Sequence, residues 1–231
     1  MLTVLRREEK YALSIEEAIC YANRFSQLMM SDQFSKNGKY VVRSLYFDTM
    51  DDKDFHDKLN EQNQRRKVRL RIYSPDDQYA KLELKQKENI YQKKRSLSIR
   101  KEDALALIDG NYSVLLSYKD PFADEMFTIM SGEFYRPKSV IEYQRQALMA
   151  RENNIRVTFD SRIQATEYNF DLFSPSLPLY PVLGANKTIL EIKYKHFLPA
   201  YLSDILSQID RRSITASKYC LGRQFSYPHS L

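Results

Sequence analysis

The stretch RKVRLRIY, Arg66–Tyr73, alternates cation and aliphatic residue without a break from Lys67 to Ile72. Side chains of an extended strand point to opposite faces in turn, so Lys67, Arg69 and Arg71 share one face while Val68, Leu70 and Ile72 share the other. The stretch reads as a half-buried strand, and the fold turns on what its cationic face meets. Water is the ordinary partner of such a face. The same pattern recurs, however, in YAKLELKQK (79–87), with Lys81, Glu83, Lys85 and Lys87 opposite Leu82 and Leu84. It recurs again in KKRSLSIR (93–100), with Lys93 and Arg95, and in TILEIKYK (188–195), with Glu191, Lys193 and Lys195 opposite Ile192. If these strands are neighbours, one face is a field of ammonium and guanidinium groups, and like charges directly opposite one another destabilise a sheet. One reading leaves that face in water. The other turns it inward to line a pore that an anion must fill, because burying unpaired cations costs several kcal/mol per ion.

Outward from this stretch, the chain supplies further strands and a few helices. RREEKYAL (6–13) alternates as a strand, and Ser14 with Glu17 forms a capping box that opens a helix carrying Ala18, Ile19, Ala22, Phe25 and Met29. KYVVRSLYFD (39–48) is β-branched and aromatic, and Thr49 after it is a plausible N-cap for a short helix. Ser74-Pro75-Asp76-Asp77 marks a turn, residues 101–135 read as helical with Asp120-Pro121 as a start signal, and 138–150 with 155–160 read as a hairpin. Three prolines make 174–181 irregular, and a last helix over 198–209 follows the strand at 188–195. About eight strands in hairpins predict an α+β fold, with an antiparallel sheet large enough to close as an eight-stranded β-tunnel, a barrel flanked by helices. One domain over 1–231 is expected.

Composition narrows the function classes. The 43% apolar and 13% aromatic content is too high for a disordered chain. A net charge of +6, from 36 basic and 30 acidic residues, is a mild excess, so the placement of charge matters more than its sum. MLTVLRREEK reaches charged residues too early for a secretory signal, and no run matches a membrane span, so a soluble cytoplasmic chain is expected. Cys20 and Cys220 form no spaced motif and read as packing residues. None of the five glycines belongs to a phosphate-binding loop, so phosphate has to be held by side chains. Glu8, Glu83 and Glu191 on or beside the basic strands would repel phosphate, unless a divalent metal bridges them to it or each simply pairs with a neighbouring Lys or Arg. His56, His196 and His229 are too scattered to form a metal centre. Single-stranded nucleic acid would call for aromatics interleaved with the cations; Tyr73 shares the parity of Arg69 and Arg71, but the next two strands place none there.

The ordered set REEKYAL, SLYFDT, VRLRIY, LELK, KKR, VIEYQRQAL, IRVTFD, LEIKY and SKY, spanning 6–222, resembles the polyphosphate polymerase domain of the vacuolar transporter chaperone type, in the triphosphate tunnel metalloenzyme superfamily. That resemblance implies an eight-stranded tunnel with a basic lumen, a divalent metal (Mn²⁺ or Mg²⁺), and transfer of the terminal phosphate of ATP to inorganic polyphosphate. Carried onto this sequence, it makes Arg69, Arg71 and Arg145 the candidates for charge developing at the reacting phosphoryl group. Lys10, Lys85, Lys93, Arg95, Arg156, Lys193 and Lys218 would bind phosphate, and Glu191, with Glu8 and Glu83, would hold metal. The superfamily's opening Glu-x-Glu-x-Lys stands here as Arg6, Glu8 and Lys10, one carboxylate short, which resembles the polymerase branch more than the triphosphatases. Partners implied are ATP or triphosphate and polyphosphate, with no nucleic acid and no membrane segment in this chain. A triphosphatase acting on inorganic triphosphate or nucleoside triphosphates, and a catalytically silent polyphosphate binder, remain the alternatives.

Overall fold

The computed structural model describes residues 6–35, 38–89, 91–209, 213–214 and 217–227, so His229 lies outside the described residues. In chain order the elements are β1 (Arg6–Ser14), α1 (Ile15–Ser26), β2 (Met30–Ser31), β3 (Tyr40–Asp48), α2 (Lys53–Leu59), β4 (Gln64–Ile72), β5 (Tyr79–Glu88) and β6 (Tyr91–Arg100). They continue with α3 (Lys101–Ile108), α4 (Pro121–Gly132), β7 (Arg136–Met149), β8 (Arg156–Thr166), β9 (Tyr180–Pro181), β10 (Lys187–Lys195), α5 (Ala200–Ser207) and α6 (Lys218–Leu221). The strands form one large sheet in the order β1-β10-β8-β7-β3-β4-β5-β6, with β2 on β7 and β9 on β8. The class is α+β, as expected. A barrel closed by hydrogen bonds is not what the sheet forms: among the described residues its path ends at β1 and β6, and no pairing joins them. Both end strands are rich in charge, β1 as RREEK and β6 as KKR, and charged edges oppose further strand pairing.

The chain divides into two compact units. The first takes the described residues of Met1–Val41, Tyr143–Ile163 and Leu183–Ser217. Here β1 pairs with β10 (Glu8 opposite Lys193, Lys10 opposite Glu191) and β10 with β8 (Glu191 opposite Thr158, Lys193 opposite Arg156). One face, with Tyr11, Leu13, Leu190, Ile192, Val157 and Phe159, packs beneath Ala18, Ala22 and Phe25 of α1 and Leu202 and Ile205 of α5. The capping box forms as read: Ser14 Oγ accepts the Glu17 N–H at 3.2 Å, and the Glu17 carboxylate accepts the Ser14 N–H at 2.6 Å. Ile19, assigned to the buried side, is exposed because it lies a residue off the stripe of Ala18, Ala22, Phe25 and Met29.

The second unit takes Val42–Glu142, Gln164–Val182 and the described residues of Lys218–Leu231. Its sheet is β3-β4-β5-β6, with Tyr46 opposite Arg69, Arg69 opposite Glu83 and Glu83 opposite Ser96. Val68, Leu70 and Ile72 are fully buried with Leu82, Leu84, Ala104 and Leu107 of α3 and Ala123, Met126 and Met130 of α4. The aliphatic half of RKVRLRIY therefore points at helices, and its cations take the opposite face. Asp120 starts α4 as read, accepting the Phe122 N–H at 2.7 Å ahead of Pro121. The cap position of α2 is Asp52, in the left-handed region at φ 57 and without a side-chain cap bond, but the Thr49 hydroxyl accepts the N–H of Lys53, the first residue of the helix, at 3.0 Å. Buried Asp48, at the end of β3, accepts the N–H groups of Thr49 (2.8 Å), Asp54 (2.9 Å) and Phe55 (2.9 Å). Its carboxylate offers two oxygens in a dry site, where it satisfies more orphan donors than one hydroxyl could.

Candidate functional site

In the second unit the polar face of β4 and β5 is organised by Glu83, which is 2% exposed. Its carboxylate receives Arg69 Nε at 2.6 Å and Lys94 Nζ at 2.5 Å, with Arg71 Nη2 at 3.6 Å. Burial alone would raise this carboxyl; the guanidinium groups of Arg69 and Arg71 and the Lys94 ammonium outweigh it and hold the pKa at about 2. Three positive groups thus share one negative group. The Lys94 ammonium is held below the usual lysine range, first by desolvation and then by repulsion from Arg71 and Arg69, with Glu83 opposing both. Arg71 Nε is buried and, among the described residues, has no hydrogen-bond partner. The register adds a row of ammonium groups next to this cluster, Lys67 opposite Lys85 and Lys85 opposite Lys94.

The β5–β6 register corrects the reading of KKR. Leu84 is opposite Arg95 and Gln86 opposite Lys93, so these two share the parity of the aliphatic face, and Lys94 is the residue on the face of Glu83. Arg95 instead pairs with Glu125 of α4 and lies over Phe122 at 5.1 Å, and Lys93 is exposed. In a run of three cations, parity cannot be read until the turn fixes the register; the pairing of Glu88 with Tyr91 sets it. Two tyrosines were also missed. Arg69 Nη1 donates to Tyr46 Oη at 3.0 Å, Tyr46 stacks on Tyr219 of α6 at 5.1 Å between centroids, and Tyr219 Oη donates to Asp48 at 2.6 Å. The segment after α6 fits closely: a Cβ on Gly222 would clash with the side chains of Ile141 and Ser139, which would have to shift to admit any other residue. SLYFD and SKY carried the signal, but nothing in either motif says that their tyrosines meet.

The depressed Glu83 pKa carries a testable sign. A carboxyl whose pKa falls on folding stabilises the fold above its unfolded value and loses that contribution as pH drops through its folded value. The window here runs from 4.5 down to about 2. Discounted for the half-exposed Lys94, a loss on the order of 2 kcal/mol is expected across it. Urea denaturation at stepped pH should show Glu83→Gln with a flatter acid limb than the wild type; matching limbs would mean that the three cations do not stabilise the charged carboxylate.

In the first unit the face opposite the helices carries Glu8, Lys10, Glu191, Lys193, Arg156, Thr158 and Asp160. Lys10 Nζ is 2.9 Å from Glu8 Oε1; Lys193 Nζ is 3.7 Å from Glu8 Oε2 and in direct contact with Glu191 Oε1. Arg145 of β7 grips the fully buried Asp160 through Nε at 2.6 Å and Nη2 at 2.7 Å, with its guanidinium over Tyr143 at 5.1 Å. Burial opposes the Arg145 charge, but Asp160, Tyr143 and Glu191 hold its pKa well above the usual arginine range. Arg156 Nη2 donates to Asp32 at 2.6 Å and Tyr40 Oη at 3.1 Å, while its Nε is buried and, among the described residues, lacks a hydrogen-bond partner. Lys10 is half-buried here, as are Lys85 and Lys218 in the second unit.

A family model described as the VTC domain matches residues 5–227. The chain belongs to the VTC domain family. This is the family that the order of motifs from REEKYAL to SKY pointed to. The VTC domain described here is similar in fold to a Hippeastrum protein studied as a candidate adenylyl cyclase and found to have a dominant triphosphatase activity: TM-score 0.56, 14% identity, 94% of this chain and 95% of that chain covered. It is also similar to a candidate adenylate cyclase from Bacillus halodurans, with a TM-score of 0.50, 14% identity and 93% of each chain covered. A search of curated proteins finds no match.

The donor chemistry of this VTC domain bears on the divalent metal implied by the superfamily. Among the described residues no group of three or more His, Cys, Asp or Glu is placed to hold a metal ion. The first unit does offer hard oxygen donors: the carboxylates of Glu8 and Glu191, and Thr158 Oγ1, which is buried without a hydrogen-bond partner among the described residues and sits on the strand position opposite Glu191. An all-oxygen set of this kind suits Mg²⁺ or Mn²⁺. Glu83 does not fit the role assigned to it, since a dication beside it would meet Arg69, Arg71 and Lys94.

Proposed function

We propose that this VTC domain is a metal-dependent polyphosphate polymerase that moves the terminal phosphate of ATP onto a growing polyphosphate chain. The observation that carries the reading is the cluster on β4–β6: three cations around one buried carboxylate, with Arg71 Nε buried and, among the described residues, without a hydrogen-bond partner, make a face that favours an anion. In the reaction, an oxygen of the chain's terminal phosphate attacks the γ-phosphorus of ATP, the bond from that phosphorus to the β-phosphate oxygen breaks, and ADP leaves with the electron pair. The nucleophile is already anionic, so no general base is required, and the protein's task is positioning and charge neutralisation. Arg69 and Arg71 supply that charge, held in orientation by Glu83 and Tyr46, with Lys67, Lys85 and Lys94 along the same face. Glu8 and Glu191, with Thr158, would hold Mn²⁺ or Mg²⁺, which when bound neutralises phosphate oxygens. Enclosure of these faces as a tunnel belongs to the same reading and rests on the superfamily resemblance.

Hydrolysis of triphosphate is the second reading, favoured by the activity of the Hippeastrum relative in fold. It requires a group that orients water. Glu83 is committed to three cations, and Glu8 and Glu191 each contact a lysine, so the carboxylates are poorly placed for that task. Incubating the purified protein with ATP and Mn²⁺, then resolving products on a gel, separates the cases. A polyphosphate ladder is expected, reduced by about 100-fold or more in Arg69→Ala with Arg71→Ala, in line with the loss of preorganised charge at a phosphoryl group. Orthophosphate without a ladder would establish the hydrolase, and neither product would leave a binder.

A further inference from the structure

The segment after α6 is fastened to the second unit by more charge than a surface tail needs. Arg223, 5% exposed, forks onto Asp52 through Nη1 at 2.8 Å and Nη2 at 2.9 Å, and its Nε lies 3.0 Å from Glu167 Oε2. Asp52 also receives Lys138 Nζ at 2.9 Å and the Tyr227 hydroxyl at 2.7 Å. Glu167 accepts the N–H groups of Phe225 and Ser226, each at 3.0 Å, and the Ser226 hydroxyl. Two acids thus close on two cations, and residues 223–227 form a strap tied at both ends. Asp52 is held in the left-handed backbone region, which residues other than glycine seldom occupy and which persists where the surroundings over-determine it.

The clasp lies one turn from Tyr219, and that turn has little slack. Gly222 N–H donates to Lys218 O at 2.9 Å and Arg223 N–H to Cys220 O at 3.1 Å, while Gly222 O accepts from Ser139 Oγ at 2.7 Å. Phe55 of α2 joins the same parts by packing: Tyr227 stacks on it at 4.6 Å between centroids, and Tyr219 meets it edge-on at 6.1 Å. Tyr219 in turn stacks on Tyr46, whose hydroxyl gives the Arg69 guanidinium a second anchor beside Glu83.

We infer that Arg223 is a positioning residue for Arg69, acting through Tyr219 and Tyr46 and not by contact with a bound anion. The inference rests on the anion-binding role proposed for the Arg69 face and not on which phosphoryl transfer follows. A planar guanidinium held at one point can pivot, and a second anchor from another direction fixes the plane in which its remaining N–H groups are presented. The clasp sets the place of Tyr219, Tyr219 sets the ring plane of Tyr46, and Tyr46 sets that second anchor. Small displacements of a group that must meet a phosphate are costly, so a strap far along the chain controls how well the face is aimed.

Two measurements on the full chain test this and keep it apart from the reading it rests on. The first needs no ligand: the arginine Nε–H signals in a proton–nitrogen correlation spectrum, with that of Arg69 assigned by its loss in Arg69→Lys. Arg223→Ala should move the Arg69 signal towards that of a solvent-exposed arginine, and Tyr46→Phe should do the same. The double variant should move it no further, because both act on one anchor. Glu167→Gln, a milder cut at the other jaw of the clasp, should move it in the same direction and serves if Arg223→Ala does not fold. Leu202→Ala, a core truncation in the first unit, should lower the thermal midpoint and leave the Arg69 signal in place. The second measurement is calorimetric titration with inorganic triphosphate, whose affinity should fall by about tenfold in Arg223→Ala, the size of one badly aimed charged hydrogen bond, and by no more when Tyr46→Phe is already present. An Arg69 signal unmoved in both clasp variants overturns the inference whatever triphosphate does, as does equal movement in Leu202→Ala. Triphosphate affinity unchanged by Arg223→Ala, or losses that add to those of Tyr46→Phe, would overturn it too. If the signal moves as described and the wild type does not bind triphosphate, the strap stands and the anion-binding role of the face falls.

Discussion

Asp48→Ala is expected to cost the fold about 4 kcal/mol, a large share of a typical domain's stability. The carboxylate accepts from the N–H groups of Thr49, Asp54 and Phe55 and from the Tyr219 hydroxyl, all at 2.6–2.9 Å in a site with no solvent exposure. Each donor orphaned in a buried site costs about 1–3 kcal/mol, and the total falls short of the sum because relaxation admits water. Part of the native gain is already offset by the cost of keeping the carboxylate dry, since desolvation raises its pKa despite the four hydrogen bonds. For a chain of this length the thermal midpoint should fall by about 10 °C, at roughly 2–4 °C per kcal/mol. Asp48→Asn, which keeps one accepting oxygen, should lose about half as much. The effect reaches function too, because Tyr219 supports Tyr46 and Tyr46 accepts from Arg69. A thermal midpoint unchanged by Asp48→Ala would mean that water already serves these donors.

The difference between Asp48 and Thr49 shows what the sequence made legible. Strand periodicity in RKVRLRIY and LELK needed only local rules, and Val68, Leu70, Ile72, Leu82 and Leu84 are buried as the alternation requires. Ser14 with Glu17, and Asp120 before Pro121, are likewise local devices that the structure uses as read. Thr49 takes only the first helical N–H, that of Lys53, while Asp48 takes those of Asp54 and Phe55; Asp48 sits at the end of a strand, where a buried capping carboxylate is not signalled by any helical pattern. Lys94 was missed for a different reason. Which of Lys93, Lys94 and Arg95 faces Glu83 depends on one residue of register, and register is a property of the strand pair. The roles of Glu83 and Lys193 were the least legible: each motif, LELK and LEIK, reads as an acid beside a base. Only cross-strand partners show that Glu83 gathers three cations while Lys193 joins two acids. Lys10, Arg145, Arg156 and Lys218 were identified by motif resemblance and not by periodicity. Of these, the structure shows Arg145 and Arg156 each bonded to a buried Asp.

Triphosphate should stabilise this VTC domain strongly. Arg69, Arg71 and Lys94 crowd one carboxylate, and Lys67, Lys85 and Lys94 lie in line across three strands, so the face is strained by its own charge until an anion occupies it. A ligand that binds only the folded state adds RT ln(1 + [L]/Kd), about 2.7 kcal/mol at 100 times its dissociation constant. The corresponding rise in thermal midpoint is roughly 5–10 °C. Orthophosphate at equal ionic strength is the control, because general screening would raise both alike, whereas a single phosphate can bridge few of these cations at once. It should give a small fraction of the shift. Arg69→Ala with Arg71→Ala should abolish most of the difference between the two anions, and Lys94→Ala should remove more of it than Lys93→Ala, since only Lys94 stands on the face of Glu83. Equal losses from the two lysine variants would say that the anion is held by diffuse charge and not by this face. A midpoint indifferent to triphosphate, with or without Mn²⁺, would return the cations of RKVRLRIY to solvent and remove the support for phosphoryl transfer.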